Sequence, residues 1–478
     1  SALSNPMYYA VNLYINDELL QDDIEVPSGV TEIKAYALYG CDNLTSVTIG
    51  GDTVNIGYQA IANCKSLNSV TVLDNVQSIS KSAFVGCDAL VRITLPFVGQ
   101  NASGKGATYL GYIFGGANTN YVNYVPESLK EVIITEGASI DGGASIESGA
   151  FYRCSGLTSI TIPDSVTSIG DGTFWGCSGL TDVYYMGDLA GWMNIEFGSS
   201  SASPMYYADN LYINGELLKD VIIPDSVTSI GSGAFYGCDG LTSVVIPDSV
   251  TSIGGSAFSN CSALTSVTIG NGVTSIGNSA FYGCSGITQT ENGVSYVDDW
   301  VIDCDESVTS VQLREGTRGI ADNAFAGCYS LASITFPNSV TNIGNLALSE
   351  FSSLYYDDGT ALYLGNDTNP YVILVEVSDK SITSFEVNAQ TNIIYDGAFS
   401  GCSSLISVTI GEGVTSIGNS AFYECSGLTS VTIPGSVTSI GEDAFYGCSG
   451  LTSVTIGDGV TSIGERAFYN CSGLTSIT

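Results

Sequence analysis

Fourteen cysteines, 48 carboxylates and no histidine in 478 residues fix what chemistry the chain could carry before any fold is considered. Without histidine there is no Ser-His or Cys-His nucleophile pair. There is also no C-x₂-C pair, so the usual zinc spacings are missing. Paired carboxylates could in principle cleave a glycosidic bond, but so many acids guarantee close pairs by chance and no motif selects one. An enzyme is therefore not expected. Two acidic stretches, "DDWVIDCDES" (Asp298 to Ser307) and "YYDDGTALYLGND" (Tyr355 to Asp367), carry enough oxygen ligands to suggest Ca²⁺. The first lacks the glycine of an EF-hand loop and the second lacks alternating ligands, so both read as solvated loop charge. Neither a metal nor a cofactor is expected.

The cysteines matter more as a ruler. Cys41, Cys64 and Cys87 are 23 residues apart, and so are Cys154 and Cys177, then Cys238, Cys261 and Cys284, then Cys402, Cys425, Cys448 and Cys471. Cys328 plus 23 gives Phe351, an apolar residue in the same slot, and Cys304 stands outside the pattern. Between cysteines the unit reads "SGLTSVTIPDSVTSIGxxAFYGC". Its apolar positions, for example Leu428, Val431, Ile433, Val437, Ile440, Ala444, Phe445 and Cys448, hold neither a 3.6 nor a 2.0 period for long, which excludes an amphipathic helix. "LTSVTI" suits one short strand with Leu, Val and Ile facing inward and Ser and Thr outward. A proline or glycine then ends the strand, and "GxxAF" turns the chain back through a tight turn, one helical or 3₁₀ turn. One such unit buries too little to fold alone, so the copies must stack. The chain is a solenoid of roughly eighteen coils.

The unit L-x-x-V-x-I-P-x-S-V-x-x-I-G-x-x-A-F-x-x-C resembles the leucine-rich repeats of BspA-like bacterial surface proteins. That resemblance implies one continuous right-handed leucine-rich solenoid over residues 1–478, with a parallel sheet on its concave side and turns with short 3₁₀ or helical segments on its convex side. It also implies a secreted or cell-surface bacterial protein that binds host or community macromolecules, such as a matrix protein or a glycan. The sequence departs from the common leucine-rich pattern at the turn after the strand, where Ser165 and Gly272 stand in place of an asparagine ladder.

In the stack, equivalent cysteines would lie one strand spacing apart with parallel Cβ vectors, a poor geometry for disulfides. A ladder of buried thiols is expected instead. The outward hydroxyls, as at Ser46 and Thr48, Ser159 and Thr161, Ser266 and Thr268, Ser430 and Thr432, should form two long ladders. Flat threonine arrays can bind ice, but a curved sheet matches that lattice poorly.

Register breaks near 96–150, 182–222, 286–322 and 351–397, and each break reads as an oversized coil. "NPMYYAVNLYINDELL" (Asn5 to Leu20) returns as "SPMYYADNLYINGELL" (Ser203 to Leu218), and insertions of this kind often serve binding. The aromatics in or beside these coils, Tyr184, Tyr185, Trp192, Tyr206, Tyr207 and Trp300, are the candidate ligand contacts; the competing expectation is that they fill wider cores.

A net charge of −36 repels nucleic acid and anionic membrane. No apolar run is long enough to span a bilayer. The chain starts and stops inside a repeat, so it reads as an excerpt whose export signal and anchor lie elsewhere, and as a monomeric solenoid outside the cell. The reading is a non-enzymatic adhesin or binding module. Its rival is an acidic stalk that projects another domain and binds nothing.

Overall fold

The computed structural model describes residues 14–15, 18–19, 22–101, 106–116, 124–135, 144–348 and 354–478. Most of the Asn5 to Leu20 copy, and Phe351 in the cysteine slot, lie outside them. The described chain is a β-solenoid of about 19 turns of roughly 23 residues, with parallel sheets and almost no helix. Its backbone groups into two compact units. The first comprises Ser1–Val245, Gly254–Ser266 and Phe281–Gly286, and the second Ile246–Ile253, Val267–Ala280 and Ile287–Thr478.

In the first unit the main sheet has nine strands: β1 (Asp22–Glu25), β2 (Leu44–Ile49), β3 (Ser69–Val72), β4 (Arg92–Leu95), β5 (Glu131–Ile134), β6 (Ser159–Ile162), β7 (Asp182–Tyr185), β8 (Asn210–Ile213) and β9 (Glu216–Leu217). They lie in chain order, parallel throughout except for the closing β8–β9 hairpin. One strand per coil follows from the "S-V-T-I" alternation. Val183 and its equivalents point in, while the Ser and Thr columns point out in strict register, as in Ser46↔Ser69 and Thr48↔Thr71.

The sequence reading missed a second strand in each coil. The "T-S-I-G" segment forms its own short parallel ladder, for example Ser416–Ile417 on Ser439–Ile440 on Ser462–Ile463 in the second unit. Two residues are too few to show a period, so the sequence carried no sign of it. The following glycine is set by the stack: Gly441 donates to the Ile417 carbonyl at 2.8 Å, and a Cβ there would sit 2.5 Å from the Asn419 nitrogen.

The core runs along the axis. Leu428, Val431, Ile433, Val437, Ile440, Ala444, Phe445 and Cys448 are all at most 3% exposed. Phe399, Phe422, Phe445 and Phe468 stack face to face, with centroids 4.6, 4.9 and 5.2 Å apart. "GxxAF" is a hydrogen-bonded turn and not a helical one. Asp443 (φ 53°), just before Ala444, and Gly447 (φ 73°), just before Cys448, are both left-handed, and this reverses the chain at each end of the turn. Helical segments occur in the oversized coils: 3₁₀ turns at Leu110–Tyr112, Ser200–Ala202 and Pro204–Tyr206, and α1 at Leu189–Met193, capped by the Asp188 carboxylate on the Gly191 N–H.

All fourteen cysteines are buried free thiols. Cys64, Cys87, Cys177, Cys261, Cys284, Cys425, Cys448 and Cys471 each donate to a carbonyl of the previous coil's turn, as Cys448 Sγ does to Phe422 O at 3.1 Å. Burial and then the charge of Cys471 push the Cys448 thiol up to about 12. In the turn after the strand, where asparagine does not recur from coil to coil, single side chains of that slot tie the coils. Asn75 Nδ2 donates to Gly51 O and Thr53 O (2.8 and 2.6 Å), and Ser436 Oγ donates to Val414 O (2.7 Å). Ser165 Oγ is buried there with no hydrogen-bond partner. A ladder of carboxylates and amides does exist, but past the second strand: Asp322 accepts from Asn345 N, Asp396 from Asn419 N, and Asn419 Oδ1 from Glu442 N, at 2.7–2.8 Å.

Candidate functional site

Strand alternation decides the fate of the six aromatic candidates. "LTDVYY" aligns with "LTSVTI", so Tyr185 takes the inward isoleucine position and Tyr184 the outward threonine position. Tyr185 is 1% exposed and Trp192 0%, their rings edge to face at 5.5 Å. Trp192 rides on α1 into the core and donates from Nε1 to Ala234 O at 2.9 Å. Trp300, 0% exposed, begins strand Trp300–Cys304 and fills the space over Gly319, where an added Cβ would meet its ring at 2.4 Å. These three are therefore corrected to core residues: each fills the wider interior of an oversized coil and none can touch a partner.

The other three reach the surface at two places. On the turn side, Tyr207 Oη accepts from Gly176 N at 2.9 Å, and Tyr206, 38% exposed, stacks on Tyr236 at 4.9 Å. Trp175 lies beside them, 49% exposed. Sequence reasoning missed Trp175 and Tyr236 because they sit in regular coils. The signal was nonetheless present: both occupy the "Y" of "AFYGC", one residue past the buried phenylalanine.

Tyr184 lies on the outer face of the nine-stranded sheet. Parallel register builds two columns there, Glu131–Ser159–Asp182–Asn210 and Ile133–Thr161–Tyr184–Tyr212. The rings of Tyr184 and Tyr212 stack at 4.5 Å and 15°. Asp182 accepts from Asn210 Nδ2 (3.1 Å) and from Thr181 Oγ1 (2.6 Å). Desolvation, then the Asp182 charge, raises the Tyr212 phenol above its ordinary range. Arg92 pairs with Glu131 at 2.6 Å. In β2 to β4 the same columns hold Ser46, Ser69 and Arg92, and Thr48, Thr71 and Thr94. The hydroxyl ladder thus gives way to rings where the coils become irregular.

The acidic stretches are absorbed locally. Asp299 pairs with Arg318 at 2.8 Å, Asp305 accepts from Ser307, and Asp358 accepts from Thr360 and Ala361. Among the described residues no three metal-ligating side chains converge, and no helix is long and apolar enough to cross a membrane.

Stacked 23-residue coils with one outward-facing parallel ladder and an apolar axis define a leucine-rich repeat solenoid. The chain belongs to the BspA type leucine-rich repeat family, whose model matches in six copies over residues 14–106, 120–204, 206–301, 302–356 and 377–478. Similar solved structures include a leucine-rich repeat protein from Bacteroides ovatus (24% identity, 86% of each chain, TM-score 0.30). A leucine rich cell surface protein from Faecalibacterium prausnitzii is 23% identical over 98% of this chain and 92% of that one, with TM-score 0.19. A third, from Eubacterium ventriosum, is 18% identical over 89% and 88%, with TM-score 0.22. Comparison with curated proteins finds no match.

Proposed function

We propose that this protein is a non-enzymatic binding module of a bacterial cell surface, an adhesin that holds a host or community macromolecule through side chains of its oversized coils. The observation that supports it is the break in the sheet face: Tyr184 and Tyr212, flanked by Asp182 and Asn210, replace the uniform Ser and Thr columns. Repeating hydroxyls carry little information, whereas half-buried tyrosines offer large, rigid contact area at low entropic cost. Family membership fits this reading, since solenoids of this kind present extended surfaces built from many modest contacts.

A stalk is the second reading, favoured by the C-terminal coils. There Ser407, Ser430, Ser453 and Ser476 fall in one unbroken register, and Tyr423, Tyr446 and Tyr469 repeat as one uniform ring stack.

The deciding experiment measures binding of the full chain to immobilised matrix proteins, mucin and glycans, with an unrelated solenoid of equal acidity as control. Saturable binding that weakens roughly tenfold in Tyr184→Ala or in Trp175→Ala/Tyr206→Ala supports the adhesin. No binding above the control favours the stalk, and binding untouched by every surface variant would overturn the role given to the oversized coils.

A further inference from the structure

Along the outer face of the nine-stranded sheet, the stack of rings stops at a step. Tyr212 covers one face of Tyr184, and the register places Thr161 beside the other. One strand further lies Ile133, level with Thr161. A small residue between two large ones leaves a slot, floored by Thr161 and Ser159 and walled by the free face of Tyr184 and by Ile133. The walls are two strand spacings apart, about 9.6 Å from backbone to backbone. Carboxylates stand at both sides of the Ser159 end: Asp182 beside Tyr184, and Glu131, paired with Arg92 at 2.6 Å, beside Ile133.

We infer that this slot binds one pyranose ring of an uncharged glycan. The inference rests on the binding-module reading and names its ligand class. A flat body over Thr161 continues the ring stack at the 4.5 Å interval already set by Tyr184 and Tyr212. A sugar is the flat body whose chemistry fits every wall. Its apolar C–H face lies on Tyr184, and its hydroxyl rim reaches the Ser159 and Thr161 hydroxyls below and the Asp182 and Glu131 acceptors at the side. Asp182 is already fixed by Asn210 Nδ2 and Thr181 Oγ1, so it meets the ligand without having to be ordered first. An aromatic peptide side chain would fill the same volume but leave both floor hydroxyls desolvated and unpaired. Sialylated or phosphorylated ligands would meet the Asp182 carboxylate within a chain of net charge −36, and the nearby Arg92 is already engaged by Glu131.

The test uses the full chain and ligand-observed saturation-transfer NMR with glucose-, galactose-, mannose- and N-acetylglucosamine-terminated oligosaccharides, with sialyllactose as the anionic comparator. Two variants probe opposite defects: Tyr184→Ala removes the wall, and Thr161→Tyr fills the slot while keeping a good strand former on an outward position. Circular dichroism melts confirm that both remain folded. Binding of at least one neutral sugar, weakened roughly tenfold or more by each variant, is the expected result. The inference is overturned if no neutral sugar binds, if only the sialylated one binds, or if Thr161→Tyr binds as well as the parent. In any of these cases, binding of a matrix protein that still depends on Tyr184 would leave the binding-module reading standing.

Discussion

At the scale of single residues, one column past the second strand exposes an electrostatic cost in the second unit. Asp396 accepts from the Asn419 N–H in the ladder that ties coil to coil, and Asn419 accepts in turn from Glu442. Burial, opposed by the bond from Asn419 and reinforced by Asp322, lifts its carboxyl from 3.8 to about 6. Because the folded value lies above the unfolded one, stability is unaffected below the unfolded pKa, falls as pH rises between the two, and stays low above about 6. Asparagine already serves at the next rung, Asn419, and keeps the acceptor oxygen. Asp396→Asn should therefore stabilise the protein by on the order of 1–3 kcal/mol near neutral pH and by nothing in acid. Urea melts of both proteins at about pH 8 and about pH 3.5 check this; a gain that persists in acid would show that the carboxylate is not its source. The buried cysteines belong to the same scale. Their place in the repeat was legible from the sequence, since the slot recurs every 23 residues and takes an apolar residue, Phe351, where cysteine is absent.

At the scale of the coil, the glycine of "SIG" is the element that stacking demands. It is not there for a left-handed backbone. Gly441 is needed because the previous coil's backbone, at Asn419 N and Gly418 C, passes 2.5 Å from where its Cβ would be. Backbone cannot rotate away as a side chain can, so Gly441→Ala should cost roughly 1–3 kcal/mol, the usual range for overpacking. Gly435→Ala, with nothing within 4 Å, is the matched control. Equal melting temperatures for the two variants would refute the close approach. The oversized coils follow the complementary rule. Where the 23-residue count is exceeded, the widened interior needs larger fill, and Trp192, Tyr185 and Trp300 supply it. That is why aromatics in irregular segments divide between core and surface, and why only strand parity separates Tyr184 from Tyr185.

At the scale of the whole molecule, 48 acids against 12 bases dominate. Among the described residues few acids are neutralised by short ion pairs, so like charges recur along the stack at spacings shorter than the Debye length in dilute buffer. Raising salt from about 0.01 to 0.15 M shortens that length from about 30 to 8 Å and should raise the melting temperature. Calorimetry at the two concentrations tests it, and a flat or falling midpoint would mean that self-repulsion is not limiting. Glycan binding in the slot, by contrast, should barely change over the same range, because no ion pair forms. The sequence by itself determined the repeat, the strand, the core positions and the buried thiols, because each is a local pattern copied many times, so chance cannot imitate it. It also held the alignment that sends Tyr184 outward. Only the tertiary structure decided the second ladder, the requirement for Gly441, the burial of Trp192 and Trp300, and the meeting of Ser159, Thr161, Tyr184 and Tyr212. Those four residues are 23 to 28 positions apart from strand to strand, and the register between coils of unequal length, set by backbone hydrogen bonds, is what brings them together.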